Sequence, residues 1–67
     1  MNVQKLKGKI VERGLNSNIV ASLIGIDRAT LYRKLRNNGE KLTVGEAKKL
    51  SNALELTEEE ATIIFLR

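Results

Sequence analysis

The sequence predicts an all-α protein with five helices. Proline is absent from the 67 residues, and the alternation of apolar and polar residues that marks half-buried strands is weak. Several segments instead repeat apolar residues every three or four positions, as the inward face of a helix does. Because a chain of this length buries only a small core, we expect one domain over residues 1–67, stabilised by helix packing or by association with another chain.

The first helix is predicted to run from Val3 to Arg13. Leu6 and Ile10 are four residues apart and face inward, whereas Lys9 is expected on the solvent side. Gly14 follows the last periodic residue and is expected to end the helix.

The second helix is predicted from Asn18 to Ile24, with Asn16 or Ser17 as its cap. Its inward residues are Val20, Ala21 and Ile24. Gly25 can enter the left-handed conformation that ends a helix, and Ile26 can then pack back against the core. The chain therefore turns tightly between this helix and the next.

The third helix is predicted from Arg28 to about Arg36, and the carboxylate of Asp27 caps its first turn. Leu31 and Leu35 are four residues apart and point inward. The residues expected on the opposite face are Ala29, Tyr32, Arg33 and Arg36. That face presents a small residue, an aromatic ring and two guanidinium groups.

A loop from Asn37 to Leu42 is expected next, and capping boxes start the last two helices. Thr43 pairs with Glu46 in the first box, and Thr57 pairs with Glu60 in the second. The inward stripe predicted for the fourth helix is Val44, Ala47, Leu50 and Leu54.

The fifth helix ends in four consecutive apolar residues, Ile63 to Leu66. Consecutive residues on a helix point in different directions, so these four cannot all face one core. We therefore expect another chain to cover part of the cluster, with Ile63, Phe65 and Leu66 as the interface residues.

The helix pair from Ser17 to Leu35 resembles the helix-turn-helix of phage repressor and Cro proteins, the regulators of the xenobiotic-response-element type. The residues behind the resemblance are Val20, Ala21, Gly25, Ile26 and Leu31. It extends from Leu6 to about Leu56 and implies the compact five-helix fold of the lambda repressor DNA-binding domain, with the helix-turn-helix at helices 2 and 3. Double-stranded DNA is then the expected partner.

The resemblance also assigns roles to residues of this chain. The expected base-reading residues in the major groove are Arg28, Ala29, Tyr32 and Arg33. The expected contacts to the DNA backbone are Ser17, Asn18, Thr30, Arg36, Asn37 and Asn38. Arg33 is the candidate for a bidentate guanine contact. In this family the dimer contact comes from the C-terminal part, so a homodimer that represses by occupying a two-fold operator is expected.

The charge distribution agrees with a nucleic-acid partner. Residues 1–41 hold nine lysines and arginines against three acidic residues, whereas residues 42–67 hold three against five. The basic half contains the helix-turn-helix. Such asymmetry is expected if one face of the protein meets a polyanion.

Composition argues against most other functions. Cysteine and histidine are absent and Asp27 is the only aspartate, so disulfides and zinc–thiolate sites are excluded and acid–base or metal chemistry has few residues to use. We expect no enzyme activity and no cofactor. No apolar run approaches the roughly 20 residues of a membrane span and no signal peptide is evident, so a cytoplasmic protein without membrane contact is expected.

Ile19 and Leu23 depart from the family, in which the matching positions are commonly polar. They flank the inward stripe of the second helix. Two interpretations remain open: the pair covers the edge of the core, or it forms an exposed patch for a protein partner. The second would suit an antirepressor that binds a separate phage repressor protein. An antitoxin, whose tail holds a toxin, is a third possibility.

Overall fold

Five α-helices make up the secondary structure of residues 1–66, the part of the chain that the computed structural model describes. They are α1 (Val3–Glu12), α2 (Ser17–Leu23), α3 (Arg28–Gly39), α4 (Val44–Ala53) and α5 (Glu58–Phe65). These residues include no strand. The predicted all-α class and its five-helix layout are therefore confirmed.

The core lies where the helices meet. α1 packs against α3 and α5, while α2 packs against α3 and α4, so α3 is held from two sides. The buried apolar residues are Leu6, Ile10, Val20, Ala21, Ile24, Leu31, Leu50, Leu54 and Ile64. Leu35, the other inward residue predicted for the third helix, is half-buried against this core, so the inward stripes predicted for the first three helices are confirmed.

The cap of α2 is Asn16. Its Oδ1 accepts a hydrogen bond from the Ile19 amide at 3.0 Å, and Ser17 is the first residue of the helix. Of the two caps that the sequence allowed, the structure selects the asparagine, which leaves the Ser17 hydroxyl free of a capping role.

The turn between α2 and α3 has the predicted form. Gly25 adopts a φ of +81°, a left-handed value that residues with a Cβ rarely take. The Ile26 amide then donates to the Ala21 carbonyl at 2.9 Å, and Ile26 packs against the core. Asp27 caps α3 by accepting from the Thr30 amide at 2.7 Å, which lowers the pKa of its carboxyl.

α3 keeps helical backbone angles only to Leu35. Arg36 has an extended ψ of 157°, and Asn37, Asn38 and Gly39 have φ values of 53°, 59° and 76°. Asparagine and glycine tolerate the left-handed region best, which explains why these residues stand here. The loop predicted from Asn37 is thus present, although the hydrogen-bond pattern extends the helix to Gly39.

Both predicted capping boxes are present. The Glu46 amide donates to Thr43 Oγ1 at 3.1 Å and the Glu46 carboxylate accepts from the Thr43 amide at 2.9 Å. Thr57 and Glu60 repeat the arrangement at the same two distances. Each box satisfies amides that a helix start leaves unpaired.

The inward stripe predicted for α4 is wrong at Val44. It was expected to face inward, but its side chain is 76% exposed. As the first residue of the helix it precedes the turn that reaches the core, where Ala47 is half-buried and Leu50 is buried. Helical periodicity gives the direction of a side chain but not how far the core extends along the helix.

Lys9 also differs from its prediction. Its side chain is 13% exposed rather than on the solvent side, and its ammonium pairs with the Glu60 carboxylate and lies 3.4 Å from that of Glu12. The packing of α5 against α1 brings Glu60 to this position, which the α1 sequence alone does not contain. The ion pair with Lys9, followed by the bond from the Thr57 amide, lowers the pKa of Glu60 to about 2.

Candidate DNA-binding surface

α3 has one buried side and one exposed side. Leu31 is buried and Leu35 is half-buried against the core. The residues on the opposite side, called here the outer face, are Arg28, Ala29, Tyr32, Arg33 and Arg36, and all five are exposed. Tyr32 is 65% exposed, so its ring is available to a ligand. The predicted division of this helix is confirmed.

One further cation of α3 has a structural partner. The Lys34 ammonium lies 3.0 Å from a carboxylate oxygen of Glu46, and the two side chains are only 25% and 17% exposed. The other oxygen of Glu46 accepts the Thr43 amide of the capping box. This amide bond, and after it the bond from Lys34, lowers the pKa of Glu46. Glu46 therefore joins the start of α4 to α3.

The arginines of the outer face form no ion pair like that of Lys34 within residues 1–66. Within residues 1–66, none of them lies within ion-pair distance of a carboxylate. Arg33 makes a weaker contact, in which its Nη2 donates to Thr30 Oγ1 at 3.2 Å one helical turn away. The guanidinium groups can thus meet an external acceptor without first breaking an ion pair.

A groove of about 260 Å³ runs beside α3, between it and the starts of α1 and α2. Arg28, Tyr32 and Arg36 line it from α3, Ser17 lines it from α2, and Lys7 lines it from α1. A predicted backbone contact on α2 and predicted base-reading residues on α3 therefore share one concave surface.

A second concave surface lies on the other flank of α3. Thr30, Arg33 and Lys41 line one shallow groove there, and Arg33, Arg36, Asn37 and Lys41 line an adjoining one, each of about 330 Å³. The outer face thus forms a ridge between two grooves lined by cationic side chains. A convex basic helix of this kind has the shape that enters a major groove.

Not every predicted site residue joins these grooves. Ala29, Asn18 and Asn38 are exposed but line none of them. Conversely, Lys7 and Lys41 line them although the sequence analysis assigned neither a role. The position of Lys41 soon after α3 was an available signal, whereas that of Lys7 depends on how α1 packs.

The aliphatic pair on α2 is exposed. Ile19 is 42% and Leu23 is 58% exposed, and neither is among the apolar residues that pack against the core. Leu23 also lines a shallow groove with Lys49 of α4. This exposure favours the interpretation in which the pair forms an exposed patch over the one in which it covers the edge of the core.

The C-terminal cluster is divided as helical geometry requires. Ile64 is buried, Ile63 and Phe65 are half-buried, and Leu66 is 79% exposed. Phe65 and Leu66 line an open groove of about 620 Å³ between α4 and α5, together with Val44. Ile63 is not part of that groove.

A tight helix pair, whose second helix presents exposed arginines and an exposed aromatic ring, defines a protein of the DNA-binding helix-turn-helix class. A family model described as the Cro/C1-type HTH DNA-binding domain matches residues 5–64. The chain belongs to this family, which makes it a DNA-binding transcriptional regulator.

No curated protein and no solved structure matches the chain. In the part of the chain from residue 1 to residue 66, none of the helices has the length and apolar character needed to cross a membrane.

Proposed function

We propose that the protein is a small phage-type regulator that binds a two-fold operator as a homodimer, with α3 in the major groove. The observation behind this proposal is the outer face of α3, whose arginines are exposed and unpaired within residues 1–66 while Lys34 of the same helix is tied to Glu46. Helices of this motif read base edges from an exposed face that other helices hold in place.

Base reading is assigned to Arg28, Ala29, Tyr32 and Arg33. Arg33 is the candidate for the guanine contact because its planar guanidinium can donate two parallel bonds to O6 and N7. The small side chain of Ala29 lets the helix approach the bases closely, and its methyl group suits the thymine methyl. Tyr32 is exposed enough to pack against a base or sugar.

Backbone contacts are assigned to a second set, which would fix the orientation of α3 without reading sequence. Its members are Ser17, Asn18, Thr30, Arg36, Asn37 and Asn38. The grooves on both flanks of α3 support this assignment, because Ser17 lines one and Thr30 and Asn37 line the other. Asn18 and Asn38 are exposed neighbours of these residues.

The homodimer is assigned to the α4–α5 groove. Val44 and Leu66 are 76% and 79% exposed there, and half-buried Phe65 lies beside them. Lys48 and Glu58 line the same groove. In a two-fold contact the same patch meets itself, so a patch that holds both a cation and a carboxylate allows Lys48 of one copy to pair with Glu58 of the other. Apolar residues flanked by opposite charges thus form a self-complementary surface.

Repression would follow because the bound dimer occupies the operator. A dimer covering its operator excludes the polymerase without needing a ligand or a catalytic step. The excess of cations in residues 1–41 would hold the protein on the phosphates, and the more acidic residues 42–67 contain the proposed dimer groove.

A second function is favoured by the exposure of Ile19 and Leu23. Burying two such aliphatic side chains is worth roughly 1.5 to 3 kcal/mol each, enough to anchor a contact with another protein. An antirepressor that binds a separate repressor protein would use such a patch. This function does not require the arginines of the outer face to be free, so we rank it below operator binding.

Selection of duplexes from a random DNA library tests the proposed function. We expect a two-fold sequence to be enriched and to bind more tightly than scrambled DNA of the same length. The double variant Arg28→Ala with Arg33→Ala should lose that preference, whereas Lys49→Ala, an exposed change on α4, should keep it. Equal binding of all sequences by the unaltered protein would refute the proposal.

A further inference from the structure

Asn38 and Gly39 form the only asparagine–glycine pair in the 67 residues. They lie in the segment after Leu35, where the chain leaves the helical backbone of α3 beside the outer face. The Asn38 side chain is exposed and lines none of the grooves that flank α3. Solvent therefore reaches its amide group.

The backbone of this turn favours both residues of the pair. Asn38 has a φ of 59° and Gly39 has a φ of 76°, in the left-handed region that asparagine and glycine tolerate best. A Cβ at Gly39 would also displace the sulfur of Met1, which packs against this glycine. The way in which the chain leaves α3 thus places a glycine directly after an exposed asparagine.

An asparagine followed by glycine is chemically reactive, because no Cβ shields the backbone nitrogen from the side-chain amide. The Gly39 nitrogen loses its proton and bonds to Asn38 Cγ, the Cγ–Nδ2 bond breaks, and ammonia leaves. Water then opens the resulting succinimide ring at either carbonyl. The product at position 38 is an aspartate or an isoaspartate, whose main chain passes through Cβ and Cγ. The reaction, called deamidation, consumes water and needs no oxidant.

Ring closure requires a change in the backbone of Asn38. Its ψ is 34°, which turns the Gly39 nitrogen away from Cγ, so this turn must leave the left-handed conformation before it reacts. That conformation is unfavourable for Asn37 and Asn38 because both have a Cβ. Neither side chain makes a hydrogen bond within residues 1–66 that would hold the turn in place. A local opening that leaves the core folded is therefore enough for the reaction.

The other asparagines lack this combination of features. Asn2 and Asn16 are held in place, because each side chain accepts a helix-capping bond at 3.0 Å. Asn18 and Asn52 lie within helices and, like Asn37, precede a residue that has a Cβ. Deamidation is therefore expected at position 38 before any other position.

We propose that Asn38 is a site of spontaneous deamidation and that the reaction weakens the binding of the protein to DNA. This inference rests on the proposed function, in which Asn38 contacts the DNA backbone. Deamidation replaces a neutral amide by a carboxylate close to a phosphate, and like charges repel. An isoaspartate also lengthens the main chain between α3 and α4. Operator binding should therefore weaken as the protein ages.

The variant Asn38→Asp isolates the effect of the new charge. We expect it to weaken binding to the operator and to scrambled DNA alike, because phosphates carry no sequence information. The slope of the logarithm of the binding constant against the logarithm of salt concentration should fall by about 0.9, the value for one phosphate contact. Asn52→Asp is the matched control, because it makes the same change at an exposed site on α4 outside the grooves flanking α3. It should leave affinity and slope unchanged.

The experiment incubates the full chain at neutral and at mildly alkaline pH and locates the products by peptide mapping and by labelling with isoaspartyl methyltransferase. We expect aspartate and isoaspartate to accumulate first at position 38, and faster at the higher pH because the Gly39 amide must lose a proton. Operator affinity measured on the same samples should fall with the reacted fraction. Asn38→Gln is the control for ageing, because its longer side chain cannot form the five-membered ring. Thermal melting checks its fold, and its affinity should hold over the same time.

Two outcomes would overturn the inference while leaving the proposed function in place. In the first, Asn38 stays unmodified in the incubated protein. In the second, it reacts but the operator affinity does not fall, or falls equally in the incubated Asn38→Gln variant. If the unaltered and unaged protein selects no operator, both the inference and the proposed function fail.

Discussion

The Lys34 ammonium and the Glu46 carboxylate, 3.0 Å apart, connect the inner edge of α3 to the first turn of α4. Glu46 also completes the capping box with Thr43, so one carboxylate fixes both the start of α4 and the position of α3. Between Leu35, the last residue of α3 with helical backbone angles, and the start of α4, the chain forms a loop with three residues of positive φ. An anchor across such a loop restricts how far α3 can rotate on the core.

Removing this carboxylate should destabilise the protein. Glu46→Ala loses the reciprocal bond of a capping box and a half-buried ion pair, so the free energy of unfolding should fall by about 1 to 2 kcal/mol. Urea unfolding followed by circular dichroism measures the change. The control is Glu40→Ala, an exposed carboxylate with no ion pair within residues 1–66, which should alter stability far less. Equal effects of the two changes would show that the anchor contributes nothing.

Leu66 should be needed for self-association and not for folding. Its side chain is 79% exposed in the α4–α5 groove, so Leu66→Glu places a charge where the second copy is proposed to dock. We expect analytical ultracentrifugation to give a weaker dimer and thermal melting to change by no more than a few degrees. Ser51→Glu, a half-buried site in the same groove, should act in the same direction.

The spacing of the protected half-sites on the DNA also tests the proposed dimer. Half-sites bound by this motif lie about 34 to 36 Å apart, centre to centre. Hydroxyl-radical footprinting should therefore show two protected half-sites at that spacing for the unaltered protein and a weaker pattern for Leu66→Glu. Full protection of one isolated half-site would contradict the proposed dimer.

The aliphatic pair on α2 should contribute little to stability. Ile19→Glu with Leu23→Lys puts an ion pair with four-residue spacing on a surface that is already exposed. The melting temperature should stay within a few degrees, while any complex with a second regulatory protein should be lost. A fall in stability of several kcal/mol would mean that the pair packs in the core after all.

Stability should decrease in acid through Glu60. Its pKa is about 2 in the folded protein, below its ordinary value of 4.5, because Lys9 and the Thr57 amide favour the charged form. The resulting stabilisation is complete above pH 4.5 and is lost as the pH falls from 4.5 toward 2. Glu60→Gln keeps an oxygen for the Thr57 amide but no charge for Lys9, so its urea midpoint should change less across this range.

Glu59→Gln serves as the control for that measurement. Glu59 is exposed and lies outside the ion pairs of residues 1–66, so its replacement should leave the acid dependence of the unaltered protein in place. Parallel pH curves for the unaltered protein and Glu60→Gln would show that the pair with Lys9 does not stabilise the fold.

Local chemistry made most of the fold predictable. The Thr57–Glu60 capping box, the left-handed Gly25 and the four-residue spacing of Leu6 and Ile10 each act within one turn of the chain, and all were confirmed. Val44 and Lys9 were misplaced for the opposite reason. Their burial depends on how far neighbouring helices extend, which no local pattern contains.

The candidate site was likewise predictable only where its residues belong to one helix. Periodicity placed Tyr32 and Arg33 on the outer face, since both belong to one helix. Lys7 could not be associated with them, because its position beside Arg36 arises from the packing of α1 on α3. Long-range packing, rather than helix formation, limited the functional prediction.

The outer face of α3 is proposed to read bases, and substitutions of Arg33 and Arg36 test this role most directly. On the selected operator and its single-base variants, Arg33→Ala should lose roughly 1 to 3 kcal/mol of binding and lose preference at one position of each half-site. Arg36→Ala should instead weaken binding to every sequence about equally and reduce the salt slope by about 0.9. If the two variants lose the same affinity on every duplex, with no position of the half-site relaxed in either, α3 does not read DNA as proposed.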